Sequence, residues 1–518
     1  MIGLSYKPTT QSLKITNTIS MKRKKIAVIG SGFSGISAAA YAAKAGYEVH
    51  VFEKHSQPGG RARQFRTDQG YIFDMGPSWY WMPDIIESFF NDFKCSSSDF
   101  YDLVSLDPQF EIIFSNDKIQ VPENKGDIRN LFEKHEKGAS VQYDKFMESS
   151  RFKYEVGMQE FVNKPCYNWG EFISLKIAKS ALKLDLLSNF RSYVSRYFSN
   201  PKLRTLMEFP VIFLGASPKN IPALYSLMNY GGYSLGTKYP MGGFYQLVLA
   251  MQKVAEEQGV IFHFNQNVQR INIENAHVSS ISINNEDYVF DAIIASSDYH
   301  HTETLLSPEF RNYSEKYWQN KTFAPSCLIY YLGIKEKLPN LKHHTLFFEN
   351  DLDDHIDCIY GDKKWPDKPL FYCCCPSKTD PDVAPENCEN LFLLMPLALG
   401  LEDGENIREE YLEKMLLRIE KHTGVKDLVS KVEYKRSYCI NDFMSDYNAY
   451  GGNAYGLANT LSQTAVLKPK IKNNKVRNLY YTGQLTVPGP GVPPSIISGK
   501  IVANQLENLK YKRYEKVV

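Results

Sequence analysis

Gly30-Ser31-Gly32-Phe33-Ser34-Gly35 carries the spacing G-x-G-x-x-G between an apolar run and an alanine-rich one. The first glycine permits a tight turn and the second lets backbone approach a pyrophosphate. The third allows a helix to pack closely on a strand, and the helix start then points free N–H groups at the phosphates. A helix-end field is worth only about 0.3–1 kcal/mol per charge, so several direct N–H bonds must supply most of the affinity. Glu53, eighteen residues after Gly35, is placed to accept from both ribose hydroxyls, and its charge repels a 2′-phosphate, which argues against NADP. Six residues further, Gly59-Gly60-Arg61-Ala62-Arg63 sets an arginine fork after a glycine pair, a suitable partner for a phosphate. At the far end, Gly483–Ser495 is a glycine- and proline-rich turn leading into a helix with proline near its first position. Free N–H groups there can stabilise negative charge on a ring or a pyrophosphate. These residues point to dinucleotide binding.

The elements that must hold them are readable from periodicity. Residues 25–30 form an apolar strand, 36–47 an alanine-rich helix and 48–54 a second strand, making a βαβ unit of about 30 residues. Residues 242–268 repeat glycine, helix, glycine, strand, and 278–296 read as a hairpin turning at Asn284-Asn285 before a buried strand. Residues 405–424 form an amphipathic helix stopped by Gly424; 478–483 is a strand, and 493–510 the last helix. The pattern predicts an α/β protein whose Rossmann-like domain is discontinuous, built from 21–115, 240–300 and 435–510. A second domain of mixed β-sheet and helix comes from the inserted segments 116–239 and 301–434, and residues 1–20 are expected to be a flexible tail.

Composition narrows the function. The chain has 518 residues, 43% hydrophobic and 23% charged, ordinary for a globular protein and too apolar for wholesale disorder. Lys and Arg number 60 against 58 Asp and Glu, so no global field attracts nucleic acid, and none is expected as a partner. No run approaches the ~18 apolar residues of a membrane span, and the first 20 residues lack the apolar segment of a secretory signal. The nine cysteines are odd in number and scattered, and are read as buried reduced thiols of a cytosolic protein. Cys373-Cys374-Cys375 lie in a strand, where neighbours point to opposite faces and cannot easily share one metal. His300-His301 are adjacent rather than spaced to face one ion, and no metal is expected.

The run E-K-x4-G-G-R-A-R, from Glu53 and Lys54 through Gly59, Gly60, Arg61 and Ala62, resembles the signature of the FAD-dependent amine oxidase and phytoene desaturase superfamily. The next segment of that superfamily resembles Asp74, Gly76, Pro77 and Ser78, followed by Trp79, Tyr80 and Trp81, which are either cavity lining or ordinary core. The C-terminal run through Gly483, Gln484, Pro488, Gly491, Val492 and Pro493 is similar to the carotenoid desaturase pattern G-x-x-x-x-P-G-x-G-V-P; Gln484 stands where an acidic residue is common. Further matches are Gly242-Gly243, Asn267-Val268, with Val268 expected to hold the adenine side through its backbone, and D-P-x-x-A-P from Asp380. The resemblance runs from about residue 24 to 506 and is closer to bacterial-type carotene desaturases than to amine oxidases.

The resemblance implies an FAD enzyme that removes two hydrogens from a carotene, with hydride passing to the flavin and a proton leaving the adjacent carbon. Phytoene to lycopene is the simplest such reaction. Alternatives are a desaturase of a later carotenoid, such as a 3,4-desaturase of hydroxylated γ-carotene, a carotenoid isomerase, an amine oxidase, or a non-enzymatic lipid escort. Asp74 is the candidate proton acceptor, weighed against a structural role. The substrate class is an acyclic or partly cyclised C40 carotenoid, and the electron acceptor a quinone or O2. Residues 174–204 combine seven basic residues with an apolar stripe and are expected to form an amphipathic helix that holds the protein to the inner face of the cell membrane.

Overall fold

The computed structural model of the chain describes residues 23–172, 184–186 and 188–507. Five strands form one parallel sheet in the order Leu479–Tyr481, Ala292–Ala295, Lys25–Ile29, Glu48–Phe52, Ile261–His263. The strands come from three distant stretches of chain, and the central ones are nearly continuous apolar runs because both faces are covered. Alternation assigns the faces. Ile26 and Val28 pack with the helices Phe33–Lys44, Tyr245–Glu257 and Val492–Gln505. Ala27 and Ile29 pack instead beneath an antiparallel layer of three strands, Arg270–Glu274, His277–Ile283 and Glu286–Val289. The hairpin in that layer turns at Asn284 and Asn285, both with positive φ (52° and 66°), as a two-residue hairpin of this twist requires.

The second unit is a seven-stranded mixed sheet ordered Val432–Tyr438, Ser326–Ile334, Glu389–Leu397, Phe371–Cys374, His344–Phe347, Phe110–Ile113, Lys118–Val121. One face packs on the helix Glu405–Thr423, capped by Gly424 in the left-handed region. The other face meets a helical layer that includes Ala139–Val156. Cys373 and Cys375 lie on the first face and Cys374 on the second, the alternation expected of this triplet. All nine cysteines are free.

Two expected boundaries move. Phe110–Ile113, placed with the dinucleotide unit up to residue 115, pairs with His344–Phe347 in the seven-stranded sheet. Val432–Tyr438 also belongs to that sheet, so the chain returns to the first unit after it rather than at 435. Strand pairing decides a boundary, and pairing partners far apart in sequence leave no local signal.

The continuous basic helix expected over 174–204 is not what the described part shows. Residues 173–183 and 187 lie outside the described residues. Beyond them, Phe190–Val194 and Pro201–Glu208 are two short helices separated by a non-helical stretch. Phe190, Tyr193 and Val194 are buried in the core. Arg191 pairs with Glu208 and Asp353, Arg196 with Asp185, and Lys202 with Asp117, so these charges already have partners within the chain. Among the described residues, no helix is long and apolar enough to cross a membrane.

Candidate functional site

A cavity of about 920 Å³ opens at the C-terminal ends of the parallel strands, where Ile29, Phe52 and Ser296 reach its wall, and extends to the seven-stranded sheet. That strand edge is the position at which open α/β sheets bind ligands. It is near the top of the ~300–1,000 Å³ range usual for ligand pockets.

The sequence motifs converge on it. Gly30 takes φ 97°, and a Cβ there would come 3.3 Å from Ser297 N. Gly32 has an ordinary backbone, but a Cβ on it would meet nothing within 4 Å, so its hydrogen faces open cavity. Phe33 and Ser34 also line the cavity, and the helix they begin has no side-chain cap at Gly32. Gly35 does not reach the cavity; its Cβ position lies 2.1 Å from Gly30 O, so its task is packing the helix on the turn.

Glu53 is buried, and its carboxylate accepts from Ser31 N (2.9 Å), Ser31 Oγ (2.7 Å) and His55 N (3.0 Å). Lys54 lines the wall beside it. Gly59 N donates to Ser31 O, and a Cβ on Gly60 would lie 3.4 Å from Gly32 Cα, so the two glycine turns form one cradle. Arg61 and Ala62 follow on its rim. The Arg61 guanidinium donates to Asn453 O and lies 5.0 Å over the Tyr447 ring, yet its Nε is buried without a partner. Burial pulls its pKa below the usual arginine value. Arg63 instead pairs with Asp446 at 2.5 Å and does not line the cavity.

The C-terminal turn closes the cradle. Gly483 (φ 112°) holds its Cβ position 3.1 Å from Ser34 Oγ, and the Gln484 amide donates to Asn453 Oδ1 at 3.3 Å. Gly491 (φ 111°) precedes the helix Val492–Gln505, which also has no side-chain cap; Val492 and Pro493 line the cavity. Val268 lines it too, although it lies past the strand Ile261–His263, in the connection to Arg270–Glu274. Two uncapped helix starts, an open side at Gly32 and an unsatisfied buried arginine nitrogen fit an anionic dinucleotide.

Gly76, Pro77 and Ser78 line the wall where the cradle meets the seven-stranded sheet; a Cβ on Gly76 would lie 2.6 Å from Arg61 O. Of the three aromatics that follow, Trp79 and Trp81 face the cavity, whereas Tyr80 is core and shares a hydrogen bond with Tyr101. Asp74 does not line the large cavity. Its carboxylate accepts from Phe244 N, Tyr245 N and Gln64 Nε2, which ties it to the start of the helix Tyr245–Glu257. Burial raises its pKa to about 6.

Away from the cradle the lining is apolar, with Met82, Met158, Leu224, Met228, Ile329 and Leu394 among its residues. Sequence reasoning named neither Tyr372 on this wall nor Asp298 and His301 beside the cradle as site residues. Asp298 is buried with one carboxylate oxygen unpartnered and its pKa raised by burial; burial lowers His301 to about 4. The signal for Tyr372 was present in the alternation of Phe371–Cys374 but could not say which face met a ligand.

Comparison with known proteins agrees with this geometry. The model of the flavin containing amine oxidoreductase family matches residues 33–506. A carotenoid 3,4-desaturase of Haloarcula japonica is 40% identical over 484 residues, covering 93% of this chain and 97% of its own. A 4,4'-diapophytoene desaturase of Staphylococcus haemolyticus is 31% identical, covering 94% and 99%. Among solved structures, an oxidoreductase from Methanosarcina mazei shares the fold with a TM-score of 0.55 at 18% identity, covering 93% of this chain and all of its own. The chain belongs to the flavin containing amine oxidoreductase family, and within it to the FAD-dependent carotenoid desaturases.

Proposed function

We propose that the enzyme desaturates a C40 carotenoid near its end, at the 3,4 bond, rather than converting phytoene to lycopene. The observation that carries this reading is the gap in similarity: 40% identity to a 3,4-desaturase against 31% and 28% to diapophytoene- and phytoene-type enzymes over nearly the same length. Bound FAD supplies the hydride acceptor. The chain's own residues hold that cofactor between both ends of the polypeptide, present an apolar wall to a polyene and keep water from it. Asp74 is read as positioning the helix Tyr245–Glu257, since three donors occupy its carboxylate.

Expression in hosts that accumulate either phytoene or a hydroxylated, already conjugated carotenoid tests the choice. The reading expects a red shift and the loss of two hydrogens in the second host, with phytoene unchanged in the first. Red lycopene from phytoene would reverse it, and phytoene desaturation is the second reading because the diapophytoene- and phytoene-type relatives also span almost the whole chain.

The substrate lives in a bilayer, so we propose peripheral membrane contact on the cytoplasmic side, with a quinone or O2 reoxidising the flavin. Flotation with anionic liposomes at low salt checks the first; anaerobic reoxidation by quinone compared with air checks the second.

A further inference from the structure

Loss of a hydride and a proton from a carotenoid leaves the proton to be removed from an apolar cavity. One wall of that cavity carries a line of polar groups that starts at Ser78, on the edge of the cofactor cradle, and leads away from it. Ser78 and Tyr372 both line the cavity, with Ser78 Oγ 2.9 Å from Tyr372 Oη. Tyr372 Oη lies 2.6 Å from His344 Nδ1. The His344 ring stacks on Trp79 at 4.2 Å and stands 4.6 Å from the His343 ring. His343 Nδ1 lies 2.7 Å from Thr379 Oγ1, and Thr379 is half-exposed. The line therefore runs from the cavity wall to the surface.

Its middle is incomplete in a telling way. Nε2 of His343 and Nε2 of His344 are both buried with no hydrogen-bond partner. A buried polar atom without a partner is costly, so two in neighbouring rings call for a missing partner. A ring nitrogen from each histidine and Cys374 Sγ lie within 4.8 Å of one another. A side cavity of about 20 Å³, above the roughly 10–15 Å³ one water needs, is lined by Ser78, His343 and Cys374 and not by His344, so a water there meets His343 directly and His344 only across that gap.

We propose that Tyr372, His344, a bound water, His343 and Thr379 form a wire that carries the substrate proton from the cavity to solvent. The proposal rests on the carotenoid desaturase reading. As the hydride's electron pair goes to the bound flavin, the C–H bond on the neighbouring carbon breaks and its electrons become the new C=C π bond. The proton joins Tyr372 Oη, whose own proton passes to His344 Nδ1. A proton leaves His344 Nε2 through the water for His343 Nε2, and one leaves His343 Nδ1 through Thr379 to solvent. A carbon next to a carbocation is acidic enough that a neutral phenol–imidazole pair suffices as acceptor. Burial depresses both imidazoles, His343 to about 3, so neither ring retains the proton.

Two measurements test the wire. The first is a crystal structure of the holoenzyme resolving ordered water, with zinc and copper quantified in the same preparation. It should show a water bonded to the Nε2 atoms and no stoichiometric metal; a metal held by His343, His344 and Cys374, or a dry gap, overturns the wire whatever the substrate. The second is anaerobic single-turnover oxidation of a carotenoid by holoenzyme. Tyr372→Phe should slow it about 100-fold with bound FAD and the carotenoid dissociation constant unchanged, within the usual range for general acid–base groups. Thr379→Val, at the outer end, should leave this single turnover intact and slow steady-state turnover once an electron acceptor is supplied. Wild-type rates in Tyr372→Phe overturn the wire. A wild-type enzyme that oxidises no carotenoid overturns the proposed function instead, and the wire is then judged on the crystallographic water.

Discussion

Gly32 and Gly35 share one motif and do opposite work. Gly32 has a backbone any residue can adopt, and a side chain there would project into the cavity; Gly35 would drive a Cβ into Gly30 O at 2.1 Å. Gly32→Val should therefore keep its far-UV circular dichroism while its bound FAD absorbance falls at least about tenfold, because several N–H bonds to the cofactor are lost together. Gly35→Ala should instead lose thermal stability by about 1–3 kcal/mol, the usual cost of overpacking, in apo and holo protein alike. The motif spacing announces a cradle at both positions. Which glycine faces the ligand follows from the spacing only once the turn is built. Arg63 shows the limit: it reads like Arg61, two residues away, yet pairs with Asp446 because an adjoining segment supplies that carboxylate.

At the scale of elements, the first and last helices are the pair that joins the two ends of the chain. Phe33–Lys44 and Val492–Gln505 approach so closely that a Cβ on Gly499 would lie 2.5 Å from Ser34 O and 2.7 Å from Ala38 N. Gly499→Ala should force them apart, lowering stability by about 1–3 kcal/mol, and should weaken FAD retention because Ser34 and Gly483 shift with them. The connection 299–313 provides a pH test. Glu303 is buried, accepts from Asn312 N and Tyr313 N, and is pushed up to about 7 by burial. Its folded value lies above the ordinary 4.5, so the stability it contributes is complete below that pH and is lost as pH rises towards 7. His301, lowered to about 4, acts in the opposite sense, losing stability as pH falls from 6.5. Glu303→Gln isolates the first effect: its melting temperature relative to wild type should rise between pH 4.5 and 7.5, measured by differential scanning fluorimetry. A flat difference across that range would exclude Glu303 as the source.

At the scale of the whole molecule, the cavity wall expected to cradle FAD is assembled from residues 30–78, 266–301 and 483–493. A ligand bound by three such distant segments stabilises only the folded state. Loading apo protein with FAD at a hundred times its dissociation constant should add about 2.7 kcal/mol, read as a rise in melting temperature, and Gly32→Val should abolish that rise while leaving the apo value near wild type. The side cavity and the histidine pair beside the seven-stranded sheet belong to this scale as well, since Tyr372, His344 and Ser78 come from three strands or loops that meet only in the fold. The basic stretch 190–204 is the reverse case. Its charge suggests an outward-facing surface, but carboxylates at 117, 185, 208 and 353 pair with Arg191, Arg196 and Lys202.

Local pattern alone determined the βαβ unit, the dinucleotide cradle, the return of the C-terminal turn and helix, and the opposite faces of the cysteine triplet. Each of these depends on the spacing of residues within one element or one turn, and that spacing is written directly in the chain. The wall opposite the cradle, the domain boundaries at 110–113 and 432–438, the partners of the basic stretch and the line from Tyr372 to Thr379 were decided only by tertiary structure. They arise where strands and side chains hundreds of positions apart are brought within hydrogen-bonding distance, and no local periodicity encodes which distant segment will arrive.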